Sequence, residues 1–118
     1  MGNDGEQDKF RTQDEANTQR RAGLLGLQYL DTRPFSKSGP LFFGILTLEQ
    51  MYAGHLIPLS DGNQETPLVF GITVTTPQKL LRELRDKFAN RVVHFMMISN
   101  LGFEEYMLRY NPPKKVVY

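Results

Sequence analysis

The sequence predicts an α/β (α+β) fold, a small single domain with a mixed three- to four-stranded sheet packed by helices. Three observations carry this reading. Leu68, Phe70, Ile72 and Val74 recur with period two, with Val69, Gly71 and Thr73 on the opposite side, the pattern of a strand buried well on one face and more lightly on the other. Leu80, Leu81, Leu84 and Phe88 then recur at three- and four-residue spacing, the stripe of an amphipathic helix. Val92–Ile98 follows as a nearly unbroken apolar run, expected of a strand covered on both faces. Strand, crossover helix and strand in that order imply a right-handed parallel pair.

In chain order, residues 1–8 are polar and glycine-bearing and are expected to form a disordered tail. Residues 9–111 form the domain. Lys9 to Leu25 reads as a helix, polar at first, with Ala16, Arg20, Gly23 and Leu24 along one side and Gly26 as its stop. Leu27–Thr32 alternates weakly and is read as a short strand or an extended strap. Arg33–Gly39 is a loop, and Leu41–Leu46 is too short and irregular to classify. Thr47 with Gln50 three residues on is a capping-box pattern, which opens a short helix through Met51 and Tyr52 that stops at Gly54. His55–Leu59 is a strand whose proline suits an edge or an end of the sheet. Ser60–Glu65 is turn chemistry, so this strand joins Leu68–Val74 as an antiparallel hairpin. Thr76 is placed to cap the next helix, with Pro77 in its first position and the helix running to about Asn90. Lys79, Arg82, Glu83, Arg85, Asp86 and Lys87 take its solvated side, with Glu83 and Lys87 spaced to pair. Ser99 or Asn100 caps the last helix. Glu104 and Glu105 are assigned to its first turn, and Leu101, Met107, Leu108 and Tyr110 to its apolar side, before Pro112–Pro113 stop it. Residues 112–118 are a tail or linker.

Bulk properties narrow the function. A chain of 118 residues holds one core. A net charge of +1 gives no strong attraction to nucleic acid or anionic lipid, and the small Lys114–Lys115 cluster does not change that. With no cysteine, disulfides, thiolate metal sites and cysteine catalysis are excluded, which fits a reducing compartment. No apolar run approaches the roughly 20 residues of a membrane span, and no signal-peptide pattern is present. The expectation is a cytoplasmic domain.

No catalytic constellation is apparent. His55 and His94 lack Cys, Asp or Glu at metal-ligand spacing, so a structural role is favoured for both and no metal is expected. Glu104 and Glu105 are adjacent on a helix and point apart, so they do not form an acid/base pair. The glycines make neither a phosphate loop nor a dinucleotide fingerprint, and there is no GxSxG elbow. The chain is therefore read as a non-enzyme with no cofactor. Arg20 and Arg21 either hold a phosphate or an acidic partner or lie on a solvated helix face, the latter favoured. Leu41-Phe42-Phe43 is either a core strap or an exposed docking patch. Eight phenylalanines and five tyrosines need burial somewhere, which favours core.

Several segments resemble a known family. Arg21-Ala22 followed by Leu25-Gly26-Leu27-Gln28-Tyr29-Leu30-Asp31-Thr32 resembles the opening RA..LGLPYVDL of the amino-terminal domain of the type II secretion and type IV pilus assembly ATPases. His55-Leu56-Ile57-Pro58-Leu59 is similar to that family's..VIPL strand. Leu68 to Thr76-Pro77 stands where the family has a strand followed by an Asp-Pro helix start, and Ile98–Tyr110 resembles its last strand and helix. The likeness spans about Arg20 to Tyr110. Two departures stand out: the family's catalytic domain with its Walker motifs is not in this sequence, nor is the RLG…G motif through which some relatives bind cyclic di-GMP. The resemblance implies an interaction and regulatory module that docks the motor to a cytoplasmic domain of an inner-membrane assembly protein, without membrane insertion of its own. Arg20, Arg21, Phe42 and Phe43 are the partner-binding candidates. The alternative is a cyclic di-GMP sensor, which needs several arginines converging on one cleft; Arg20, Arg21 and Arg33 are the early candidates, and tight binding is not expected. A small enzyme has the least support.

Overall fold

The computed structural model describes residues 2–61 and 66–113, with side chains described from Lys9 onward. Four helices and four strands alternate as α1 (Gly2–Leu25), β1 (Gln28–Tyr29), α2 (Leu48–Gly54), β2 (Leu56–Pro58), β3 (Leu68–Ile72), α3 (Gln78–Lys87), β4 (Val93–Met97) and α4 (Asn100–Tyr110). The strands form one mixed sheet in the order β1-β4-β3-β2. β3 and β4 are parallel, with Phe70 opposite Phe95. β2 and β3 make the antiparallel hairpin, Ile57 opposite Gly71. β1 adds a second parallel pair at the far edge, Gln28 opposite Met96. This is the mixed sheet that the sequence predicts. Of the turn at Ser60–Glu65, Gly62–Glu65 lie outside the described residues, as does Lys114–Tyr118 in the expected tail.

The core is built where the periodicities place it. Leu68, Phe70 and Ile72 are buried, and Leu84 is buried against them from α3. Phe88 at the end of α3 lies with its ring centroid 6.0 Å from that of Phe70, and Phe95 of β4 lies at the same distance from Phe70. Arg85 spans the rim of this cluster, its guanidinium carbon 5.1 Å from the Phe95 ring centre. Gly71 is buried, and a Cβ there would press on the side chains of Ile98 at 3.1 Å and Leu59 at 3.2 Å, a tight fit that favours glycine. The capping box of α2 is formed in full: the Thr47 hydroxyl accepts from Gln50 N at 3.1 Å, and the Gln50 side chain accepts from Thr47 N at 2.8 Å.

Several sequence expectations are corrected. α1 begins at Gly2, ahead of the Lys9 start and within the expected tail. β3 stops at Ile72, so Val74 is an exposed turn residue and Thr73 is the buried one. Thr76 does not cap α3. Its hydroxyl instead donates to His55 O at 2.7 Å and accepts from Thr73 N at 2.9 Å, which leaves Pro77 as the N-cap without a side-chain bond. α3 ends at Lys87, short of Asn90, and Glu83 lies nearer Lys79 (3.9 Å) than the Lys87 of the expected pair. β4 is not covered on both faces: Val92 and His94 are exposed, and the buried positions are Phe95 and Met97. In α4, Leu108 faces out while Phe103 and Tyr106 are buried, and the glutamates fall beyond the first turn. His55 is packed as a structural residue but is not satisfied as a structural histidine would be, since its buried Nδ1 has no hydrogen-bond partner among the described residues. It closes α2 in a left-handed conformation (φ 51°), with its ring stacked 4.9 Å from Phe103.

Candidate functional site

The most concentrated chemistry lies where α1 meets α4. α1 presents to the body a stripe of Arg11, Glu15, Thr18 and Ala22, at helical spacing but with one apolar member. It terminates by a glycine cap: Gly26 is at φ +70°, and Leu27 N donates to Ala22 O at 2.9 Å. That turn sends the chain straight into β1, so Tyr29 lies back alongside Glu15.

Glu15 is 2% exposed and its carboxylate is fully engaged. Oε2 accepts from Arg11 Nε at 2.6 Å and from Ser99 Oγ at 2.5 Å, and Oε1 accepts from the Tyr29 hydroxyl at 2.5 Å. Three charge-assisted bonds are what a buried carboxylate needs to offset its desolvation. Ser99 is shared, because its Oγ also accepts from Gly102 N at 2.9 Å as the N-cap of α4. Arg11 continues outward, donating to Thr32 Oγ1 at 3.0 Å and pairing with Glu105, which also accepts from Ser36 Oγ at 2.7 Å. Asp14 accepts from Leu101 N at 3.1 Å, occupying another free amide of the first turn of α4. A Cβ at Gly102 would overlap Thr32 Oγ1, so the loop after β1 is seated directly on α4. Burial, and then the Glu15 carboxylate, push the Tyr29 phenol well above its ordinary range.

Above this cluster opens a groove of about 920 Å³, walled by Phe10 and Asp14 of α1, Leu101, Glu104 and Leu108 of α4, and Lys37 of the intervening turn. Phe10 is 68% and Leu108 58% exposed. The turn is fixed from beneath: Arg109 donates to Gly39 O at 2.6 Å, and Phe35 N and Ser36 N both donate to Thr32 O. Arg33, at the groove edge, makes a two-point pair with Asp31, with Nη2 to Oδ2 at 2.8 Å, and this holds the Asp31 carboxyl below the usual carboxylate range. A second, smaller cavity of about 430 Å³ lies between α2 and α3, lined by Leu46, Ala53, Leu56, Leu80 and Leu84.

The residues singled out from the sequence do not converge. Arg20 and Arg21 are exposed on α1, past the point where Glu15 meets the start of α4. Phe42 and Phe43 lie at the other end of α4, roughly 15 Å away at 1.5 Å rise per residue. Phe42 is half-buried: its N–H donates to the Tyr110 hydroxyl at 2.8 Å, and that hydroxyl donates to Phe42 O at 3.4 Å. Phe43 is 72% exposed, with its ring edge-on to Tyr110 at 5.2 Å, so the favoured core reading holds for neither residue in full and fails for Phe43. Arg33 is committed to Asp31 and nothing brings Arg20 or Arg21 to it. Glu104 and Glu105 diverge as expected, one exposed and the other turned to Arg11. The Glu15 cluster has no apolar signal in the sequence because its members are polar, and they are far apart, Ser99 lying 84 positions from Glu15. The Arg11–Glu15–Thr18–Ala22 stripe was its local signal, visible only if a small or charged residue is allowed to count as buried.

Among the described residues there is no group of three or more histidines, aspartates and glutamates placed to hold a metal ion, and no helix long and apolar enough to cross a membrane. Comparison with known proteins finds no match, whether to family models, to curated sequences or to solved structures.

Proposed function

We propose that this chain is a non-catalytic docking domain, of the kind that joins a secretion or pilus assembly ATPase to the cytoplasmic part of an inner-membrane assembly protein. One observation carries the reading. The separate sequence segments that resemble the amino-terminal domain of those ATPases recur in chain order along most of the domain, on the end of α1 with β1, on β2, on β3 with the approach to α3, and on α4 with the two residues before it. The work then belongs to surfaces: α1 with Arg20 and Arg21, and the exposed Phe43 at the far end of α4. Arginine suits such a surface because its planar fork pairs with carboxylates at two points. The domain would act in the cytoplasm, peripheral to the membrane through its partner.

The test is capture of the purified cytoplasmic domains of secretion and pilus assembly proteins by the immobilised chain. The expected result is saturable capture of one of them, weakened by Arg20→Glu with Arg21→Glu or by Phe43→Ser. If none of these domains is captured while the fold is intact, the docking reading fails. A submicromolar calorimetric isotherm with cyclic di-GMP would replace it with the sensor reading.

A further inference from the structure

Resting on the docking reading, we infer that the groove between α1 and α4 is a further contact for the partner, separate from the Arg20, Arg21 and Phe43 surfaces, and that its occupant is one amphipathic helix of the partner. Leu101 and Leu108 line the groove two turns apart on α4, about 10 Å along its axis. That is the spacing of side chains at i and i+7 on a bound helix, the pattern by which helices seat in apolar grooves. Phe10 closes the opposite wall from α1, and both Phe10 and Leu108 are left uncovered, whereas the aromatic and aliphatic residues on the inner side of α4 are buried. The groove is rigid beneath: Arg11, Glu15, Ser99 and Glu105 lock α1, α4 and the turn together, so the two walls are set before a partner arrives.

Charge gives the occupant its polarity. Lys37 stands on the turn side and Glu104 on the α4 side, both exposed, and neither has an ion pair or hydrogen bond among the described residues. Asp14, Arg11, Arg33 and Glu105, the other charges of the groove, are each already engaged within the chain. A helix with leucine-like anchors seven residues apart, an acidic flank toward Lys37 and a basic flank toward Glu104 complements all four features at once.

The probe is a covalently stapled helical peptide of that composition, titrated into the isotopically labelled whole chain and followed by amide NMR. The expected result is saturable binding, with shifts centred on Phe10, Lys37, Leu101 and Leu108. Leu108→Lys or Phe10→Ser, both at exposed positions, should weaken binding about tenfold, the effect of losing one anchor. Lys37→Glu should weaken it too, and exchanging the acidic residue of the peptide for lysine should restore it. Shifts confined to other faces, no saturable binding, or a Lys37→Glu loss that the exchanged peptide does not rescue would each overturn the inference. So would sedimentation showing a dimer of the chain that Leu108→Lys dissolves, because the occupant would then be a second copy. A captured assembly-protein domain that the peptide fails to displace sinks the groove and leaves the docking reading standing. Peptide binding with the expected variant pattern, in a chain that captures no such domain, supports the groove and sinks the named partner.

Discussion

Glu15 ties three elements together, because donors from α1, β1 and the α4 cap converge on its buried carboxylate. Glu15→Ala would leave Arg11 and the two hydroxyls without their acceptor, at an expected cost of roughly 3 kcal/mol or more. Glu15→Gln keeps the shape and should cost less, and urea midpoints of the two variants check the order. Tyr29 gives a pH signature. Its folded phenol titrates well above the 10.0 of the free group, so the protection is whole below pH 10. Above that the unfolded phenol ionises first, and stability falls by at most about 1.4 kcal/mol per pH unit, less what solvent screens at the half-exposed ring. Tyr106 and Tyr110 are raised by burial in the same direction, so Tyr29→Phe should flatten the alkaline decline without abolishing it. Equal alkaline slopes for the variant and the parent would show that the Tyr29–Glu15 bond does not persist in solution. At Gly102 a methyl group meets Thr32, and Gly102→Ala should cost about 1–3 kcal/mol by forcing the loop off α4.

The elements differ in how they are held. α3 is fastened by apolar contact, and Leu84, 3% exposed, is its central anchor. Leu84→Ala should cost about 2–5 kcal/mol, and Leu84→Asp should abolish the cooperative melt by burying a charge with no partner. A Leu84→Asp variant melting at the parent's midpoint would show that α3 packs by another face. α2 rests on its capping box, and Thr47→Ala should cost about 1 kcal/mol. α1 is fastened by polar contacts, and that difference explains what was legible. The strands β2, β3 and β4 and the helix α3 announce themselves by periodic large apolar residues, and the capping box by two residues at fixed spacing. The docked side of α1 does not, because Arg11, Glu15 and Thr18 read as solvent-facing until Tyr29, Thr32 and Ser99 are seen beside them. Thr76 misled for a related reason. A threonine before a proline is a good cap in isolation, yet here its hydroxyl binds the turn after β3 to His55. The exposure of Phe43 and Leu108 had no local signal, since burial of an aromatic or aliphatic residue at an element's end depends on what happens to pack there.

Across the whole molecule, Arg20 and Arg21 are exposed and Arg11, Arg33 and Arg109 are engaged within the chain. Cyclic di-GMP is therefore expected to give no submicromolar isotherm, since Arg33 is held by Asp31 and Arg20 and Arg21 lie apart from it. Because the Glu15 cluster joins both ends of the sequence, secondary structure and tyrosine fluorescence should melt together in one transition. Two separate transitions would mean that α1 comes away from a body that stays folded.

The order of the strands also sets a schedule for the newborn chain. β1 is made early, but its neighbour is β4, and Gln28 pairs with Met96 across 96 − 28 = 68 positions. Closing a loop of that length costs roughly 4 kcal/mol of chain entropy, beyond what a two-residue strand repays. The hairpin of β2 and β3, with α3 and β4 following at once, can assemble from near neighbours. α1 and β1 are expected to dock only once the residues around Ser99 have left the ribosome, because Ser99 supplies one of the three hydrogen bonds to Glu15. Of the elements of this domain, those made before the hairpin are thus expected to be set in place after it.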